Sequence, residues 1–180
     1  MSTAAIVLAA GGGTRFGGDG HKLLATFRGK PLVAWALEAA GALDDLIVVT
    51  GAVDVPIPAG AREVRNQRWA EGQATSLAAG IATAGDHDAV VVGLGDQPLI
   101  PAEAWRLVAA ADATPIAVAT YGGIRRNPVR FAAEVWPLLP TEGDEGARSL
   151  LRSRAELVSE VACPGEPADM DNQEDLATWS

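Results

Sequence analysis

Ala4-Ala5-Ile6-Val7-Leu8-Ala9-Ala10-Gly11-Gly12-Gly13-Thr14-Arg15-Phe16-Gly17-Gly18-Asp19-Gly20-His21-Lys22 lies near the start of the chain and decides its fold. Ala4 to Leu8 is a short apolar run with β-branched residues, the pattern of a buried strand. The strand runs directly into a loop rich in glycine. Glycine tolerates positive φ and close backbone approach, so successive N–H groups can turn toward one anion. Arg15 and Lys22 add fixed positive charge. Between residues 1 and 30 there are four bases (Arg15, Lys22, Arg28, Lys30) and one acid, Asp19.

Working outward, strand-like and helix-like segments alternate. Pro31 opens a helical stretch with Leu32, Trp35, Ala36, Ala39 and Ala40 on one face, and Gly41 ends it; proline suits the first helical position. Leu46 to Thr50 reads as a strand and Glu63 to Arg65 as a short one. Ala74 to Ala84 reads as a helix, Ala89 to Leu94 as the strongest strand, Glu103 to Ala111 as a helix and Pro115 to Thr120 as a strand. Phe131 to Leu138 and Glu145 to Arg152 are expected helices, Leu157 to Val161 a late strand and Gln173 to Trp179 a terminal helix. The alternation predicts an α/β fold: three layers, Rossmann-like, with a mainly parallel central sheet covered on both faces. Ligands of such sheets bind beyond the carboxyl ends of the strands.

The 180 residues, 48% hydrophobic and 21% charged, fit a single domain over 1–180 and exclude a disordered or fibrous chain. Acids outnumber bases 23 to 14, for a net charge of -9. A chain this acidic is a poor nucleic-acid binder. One cysteine, Cys163, excludes an internal disulfide and a Cys-based zinc site, and is expected to be a packing residue. The two histidines, His21 and His87, are too scattered for a metal site or a triad. With no apolar run of ~18 to 20 residues and no signal-peptide pattern, a soluble cytoplasmic protein without a membrane partner is expected.

Two phosphate motifs fail. The Walker pattern needs Ser or Thr after its lysine, and Leu23 follows Lys22. The dinucleotide fingerprint from Gly11 would need a sixth-position glycine, and Phe16 stands there. The plainer alternative is a flexible glycine turn. Asp96, in Gly95-Asp96-Gln97-Pro98, follows the strongest strand, where a ligand's metal would sit; magnesium takes one or two carboxylates plus phosphates and water. A turn aspartate capping its own backbone is the alternative. Asp169-Met170-Asp171 is a second acidic candidate, with helix capping as the alternative for Asp171. Thr75 and Ser76 could cap the helix that they enter. Arg125-Arg126-Asn127-Pro128-Val129-Arg130 is a second basic island, for which a solvated strand edge is the alternative.

The set Leu8-Ala9-Ala10-Gly11-Gly12-Gly13-Thr14-Arg15-Phe16-Gly17 with a following lysine, Gly95-Asp96-Gln97-Pro98, Asn66 to Leu77 and Asp169 to Asp175 resembles the MobA-like nucleotidyltransferase superfamily, in its order and over most of the chain. Within it, Ala9-Ala10 and Asn66…Gly72…Thr75-Ser76 look like the molybdenum cofactor cytidylyltransferase branch. Lys22 stands further from Arg15 than in that pattern, and Gln173 replaces a proline. The resemblance implies transfer of CMP from CTP to a molybdopterin-type acceptor with release of pyrophosphate.

It further implies roles. Arg15, Lys22 and Asp96 would be catalytic. Leu8, Ala9, Ala10, Gly11, Gly12, Gly13, Asn66, Gly72, Thr75 and Ser76 would bind nucleotide. Asp96 and Asp171 would hold Mg2+, and Arg125, Arg126 and Asn127 would bind the acceptor. A molybdoenzyme or its chaperone would be a partner. Two alternatives remain open: a sister enzyme using GTP or another nucleotide on a different phosphorylated acceptor, and a non-catalytic nucleotide-binding or cofactor-delivery protein.

Overall fold

The computed structural model describes residues 1–180 apart from 15, 18 and 19. Strand β1 (Thr3–Ala9) leads through a small hairpin, β2 (Thr26–Phe27) and β3 (Lys30–Pro31), into helix α1 (Leu32–Ala40). Then come β4 (Asp45–Thr50), β5 (Arg62–Arg65), α2 (Gln73–Ala84), β6 (Ala89–Leu94), α3 (Ala102–Ala110), β7 (Ile116–Tyr121), β8 (Ile124–Ala132), α4 (Arg148–Ser153), β9 (Val158–Ala162) and α5 (Gln173–Trp179). Seven strands form one sheet in the order β5-β4-β1-β6-β8-β7-β9. β8 runs antiparallel to β6 and β7, and the other pairs are parallel. This is the expected three-layer, mainly parallel architecture.

The period of two along β1 explains the two cores. Ala5, Val7 and Ala9 face α1 and α3, where Val33, Leu37, Trp105 and Val108 cover them. Ala4 and Ile6 face the other way, toward Leu77 of α2 and Leu150 of α4. Both faces are buried, so the strand reads as a continuous apolar run. A third cluster, Phe27, Leu32 and Met170 with Trp35, Leu176 and Trp179 against it, pins the C-terminal segment to the hairpin.

Three expectations are corrected, while most other bounds shift by one residue. The expected helix from Phe131 does not form: Phe131 lies in β8 opposite Val90 and Ile116, and Ala133–Leu138 is a 3-10 turn. Pro137 lies inside that turn and lacks the N–H that an α-helix requires. The expected helix over Glu145 to Arg152 starts only at Arg148, since Gly143 and Gly146 adopt positive φ. Pro31 is the residue before α1 rather than its first residue; it is extended (ψ 139°) and pairs with Thr26 in the hairpin.

The basic island lies in β8, an interior strand. Its first half, Ile124 to Arg126, is exposed, while Arg130 is 1% exposed and touches the Met1 Sδ (3.2 Å). Arg130 therefore stands apart from the other arginines of the island.

Gly93 is required by close packing. A Cβ there would lie 2.6 Å from two ring carbons of the buried Trp105. Overpacking a core costs about 1–3 kcal/mol. Gly93→Ala should lower the unfolding free energy by that amount, read as a lower urea midpoint with an unchanged m-value; wild-type stability would show that the Trp105 indole shifts freely.

Candidate active site

The loops after β1 and β6 leave the sheet side by side because those strands are parallel neighbours, with Leu8 opposite Leu94. The Gly95 N–H donates to the Leu8 carbonyl (2.9 Å), and the Met170 N–H to the Asp96 carbonyl (3.1 Å). Met170 is fully buried, so the chain that follows it is held at Asp96. Three distant segments thus meet at the carboxyl end of the sheet.

The Lys22 ammonium joins them. Its Nζ donates to Asp96 Oδ2 (2.6 Å) and to Asp171 Oδ1 (3.0 Å). The side chains of Lys22 and Asp96 are 14% and 16% exposed, and that of Asp171 is 36% exposed. Burial alone lowers the pKa of an ammonium, but the two carboxylates outweigh it and hold Lys22 above its ordinary value. Asp96 Oδ1 is buried with no hydrogen-bond partner. Burial, with the nearby charge of Asp96 next, pushes the Asp169 carboxyl above its ordinary range. Helix capping near Asp171 falls to Asn172 and Asp175, which form a capping box at α5. That leaves the Asp171 carboxylate turned to Lys22.

The glycine loop is fastened from below by His21. Its Nδ1 accepts from the Leu23 N–H (3.2 Å), so Nε2 carries the proton and donates to the Gly11 carbonyl (2.8 Å). A Cβ on Gly12 would lie 3.0 Å from the Trp69 ring, which shows how closely that indole covers the loop. Arg15 lies outside the described residues.

A cleft of about 930 Å³ opens above these groups. Leu8, Ala9, Ala10, Gly11, Gly12 and Gly13 form one wall, and Lys22, Asp96 and Asp171 line it too. On the second wall stand Trp69, Gly72 and Ser76. Asn66 and Thr75 do not line it. The buried Asn66 amide donates to Thr75 Oγ1 (2.8 Å) and Ser76 Oγ (2.9 Å) and accepts from the Arg68 N–H (2.9 Å). These two residues brace the wall from behind. Gly72 has φ +118°, and a Cβ would lie 2.4 Å from the Gly143 carbonyl oxygen, so only glycine lets the 143–146 segment dock on α2.

Arg125, Arg126 and Asn127 line the far end. Arg125 is paired with Glu160 (2.7 Å). The Asn127 amide donates to Gln97 Oε1 (3.3 Å), and Gln97 Nε2 to Asp169 Oδ1 (2.8 Å). Gln97, 3% exposed, thereby ties β8 to the acidic segment. The sequence reading placed Asp169 in an acidic candidate segment without a role of its own, and gave no site role to Gln97, His21, Trp69, Arg148 or Arg152. Only the last two offered a signal, as cations in an acidic stretch.

The residues present fit a divalent cation. Asp96 and Asp171 already share one positive charge, and Asp96 has an orphaned buried oxygen. Among the described residues no group of three or more His, Cys, Asp or Glu could hold a metal. Two carboxylates completed by substrate phosphates and water match the habit of magnesium. No helix among the described residues is long and apolar enough to cross a membrane.

A mainly parallel α/β sheet with a glycine loop and an acid-lined cleft at its carboxyl edge is the architecture of nucleotide-binding enzymes. The chain belongs to the MobA-like NTP transferase family, whose domain profile matches residues 5–159. Nicotine blue oxidoreductase of Paenarthrobacter nicotinovorans is 32% identical over 190 aligned positions, covering 95% of this chain and 93% of its own. The crystal structure of Rv0371c from Mycobacterium tuberculosis H37Rv superposes with a TM-score of 0.82 at 27% identity, over 98% of this chain and 96% of that one. A manganese complex of Rv0371c gives 0.80 at 26% identity, over 99% and 98%.

The single tyrosine reports on the far wall. Tyr121 donates from its hydroxyl to the Asn127 carbonyl (3.0 Å). Burial, then the neighbouring Cys163, push its pKa well above the ordinary value of about 10. Absorbance titration near 295 nm should show no phenolate at pH 11 in the folded chain, and ordinary titration in urea. Above pH ~10 the unfolded chain releases a proton that the folded chain keeps, so this group makes stability fall as pH rises. A folded-state midpoint near 10 would refute the burial.

Proposed function

We propose that this protein, acting as one catalytic domain over residues 1–180 in the cytoplasm, transfers CMP from CTP to a molybdopterin-type cofactor. The observation that carries the reading is the Lys22 ammonium held between Asp96 and Asp171 beneath the glycine loop. A phosphate oxygen of the acceptor attacks the α-phosphorus. The new P–O bond forms as the bond to the bridging oxygen breaks, and pyrophosphate leaves with the electron pair. The nucleophile is already an anion, so no general base is needed. The difficulty is to bring two anions together.

Asp96 and Asp171 would hold a magnesium ion, which when bound supplies charge neutralisation at phosphate oxygens. Lys22, Arg15 and the loop N–H groups offset the charge of the departing phosphates. Leu8 to Gly13 receive the triphosphate, and Gly72 and Ser76 the nucleoside. Arg125, Arg126 and Asn127 meet the acceptor. The product would pass to a molybdoenzyme or its chaperone.

Losing one charge-stabilising donor costs about 2.7–4 kcal/mol, or roughly 100- to 1000-fold in rate. Lys22→Ala and Asp96→Ala should each slow pyrophosphate release from CTP and molybdopterin by that factor. Near-wild-type turnover in either variant would remove that residue from the chemistry. With magnesium, CTP should raise the melting temperature more than GTP, because a ligand selective for the native state stabilises it. A larger shift with GTP would reverse the nucleotide assignment.

A second reading comes from the relative named nicotine blue oxidoreductase. In it the same cleft would hold nicotine blue or a similar compound for a redox reaction. Reduction of nicotine blue by an added reductant only when the protein is present, with no pyrophosphate release from any nucleotide, would favour it.

A further inference from the structure

We infer that the acceptor is an organic phosphate monoester with an apolar group close to its phosphate, clamped between Arg126 of β8 and Arg148 of α4. The inference rests on the transferase reading of the cleft and adds to it a residue, Arg148, and a side slot. Most described cationic side chains are already matched with carboxylates. At this end of the cleft Arg125 is held by Glu160 and Arg152 by Glu145. Arg126 and Arg148 also line the cleft, and among the described residues neither has a carboxylate partner. Arg126 donates only to the Arg125 carbonyl (2.9 Å). Of the nearby acids, Glu145 is taken by Arg152, and Asp144 stands beside Gly72: its Oδ1 would lie 2.8 Å from a Cβ there.

Two unmatched arginines on one cleft of a chain with net charge -9 are a site for an anion. Guanidinium groups on two different elements can each give paired N–H donors to one phosphate.

Beside Arg148 the cleft branches into a slot of about 60 Å³ walled mainly by Leu8, Leu77, Val92, Val129, Phe131 and Leu151; Gln73 and Asn127, which also line the cleft, stand at its mouth, and Glu145 borders it too. Leu8, Val129, Arg148 and Leu151 line both spaces, so the slot opens into the cleft next to the guanidinium. The space suits a methyl group or the edge of a ring. A hydroxyl set against the six apolar side chains, away from the polar mouth, would lose its water without gaining a partner from them. Position and chemistry together favour an acceptor that is anionic at one point and carries an apolar group next to it.

The test compares phenyl phosphate with inorganic phosphate by calorimetric titration of the full chain, with magnesium and a non-hydrolysable CTP analogue present. Phenyl phosphate should bind at least tenfold more tightly. Arg126→Ala and Arg148→Ala, both at exposed positions, should each weaken both ligands at least tenfold and leave binding of the CTP analogue unchanged. Leu151→Phe fills the slot and should abolish the phenyl advantage while inorganic phosphate still binds; Leu151→Ser, which removes the apolar wall, should do the same if the larger residue disturbs the fold. Equal affinity for the two ligands, or phosphate binding indifferent to both arginine substitutions, would overturn the inference. If the CTP analogue itself fails to bind, the transferase reading falls. The same titrations without the analogue then still decide the clamp.

Discussion

One ammonium group shared by two carboxylates organises this site. Lys22 lies 74 residues from Asp96 and 149 from Asp171, and the three meet within 3.0 Å. Gathering two partly buried carboxylates without a cation would be costly, since each must give up water while repelling the other. The ammonium removes that repulsion and lets the acidic segment close over the end of β6. In the proposed reaction, phosphates would offer the ammonium other partners and leave the aspartates to a metal. The energetics of the folded state and the proposed chemistry therefore rest on the same three side chains.

Several elements serve this junction. The β1–β6 pairing sets the glycine loop beside Gly95. Met170, Leu176 and Trp179 anchor the C-terminal segment on Phe27, Leu32 and Trp35, and Arg28 donates to the Trp179 carbonyl (2.6 Å). That apolar anchor holds Asp171 in reach of Lys22 although the acid itself is partly exposed. Gln97 extends the link to Asn127 on the far wall. A cleft floor built from such scattered pieces depends on burial at its back, where Met170, Gln97 and Asn66 lie nearly free of solvent.

Much of this was legible in the sequence because it is local. Ala89–Leu94 and Gln173–Trp179 carry their own periodicity, and both form with the boundaries that the pattern predicts. The first half of β8 was not legible. Arg125 to Arg130 read as a basic island with a solvated strand edge as the alternative, and it is pairing with Thr120 and Ala119 of β7 that makes Arg125 and Arg126 strand. At the site, the motifs pointed to Lys22, Asp96 and Asp171 separately. Their shared hydrogen bonds span distances in sequence that no spacing rule covers. Asn66 and Thr75 belong to a matching motif, yet their side chains satisfy each other inside the wall. Motif membership did not distinguish a residue that faces the ligand from one that supports it. Likewise the net charge of -9 averages over a cleft whose end holds unmatched arginines.

The account turns on Asp96 and Asp171 forming one cation site that a nucleotide completes. Manganese(II) titration followed by electron paramagnetic resonance, with a non-hydrolysable CTP analogue, tests this directly. One ion per chain should bind in the wild type, with Asp96→Asn and Asp171→Asn each weakening it at least tenfold. Undiminished manganese binding in both variants would contradict the account.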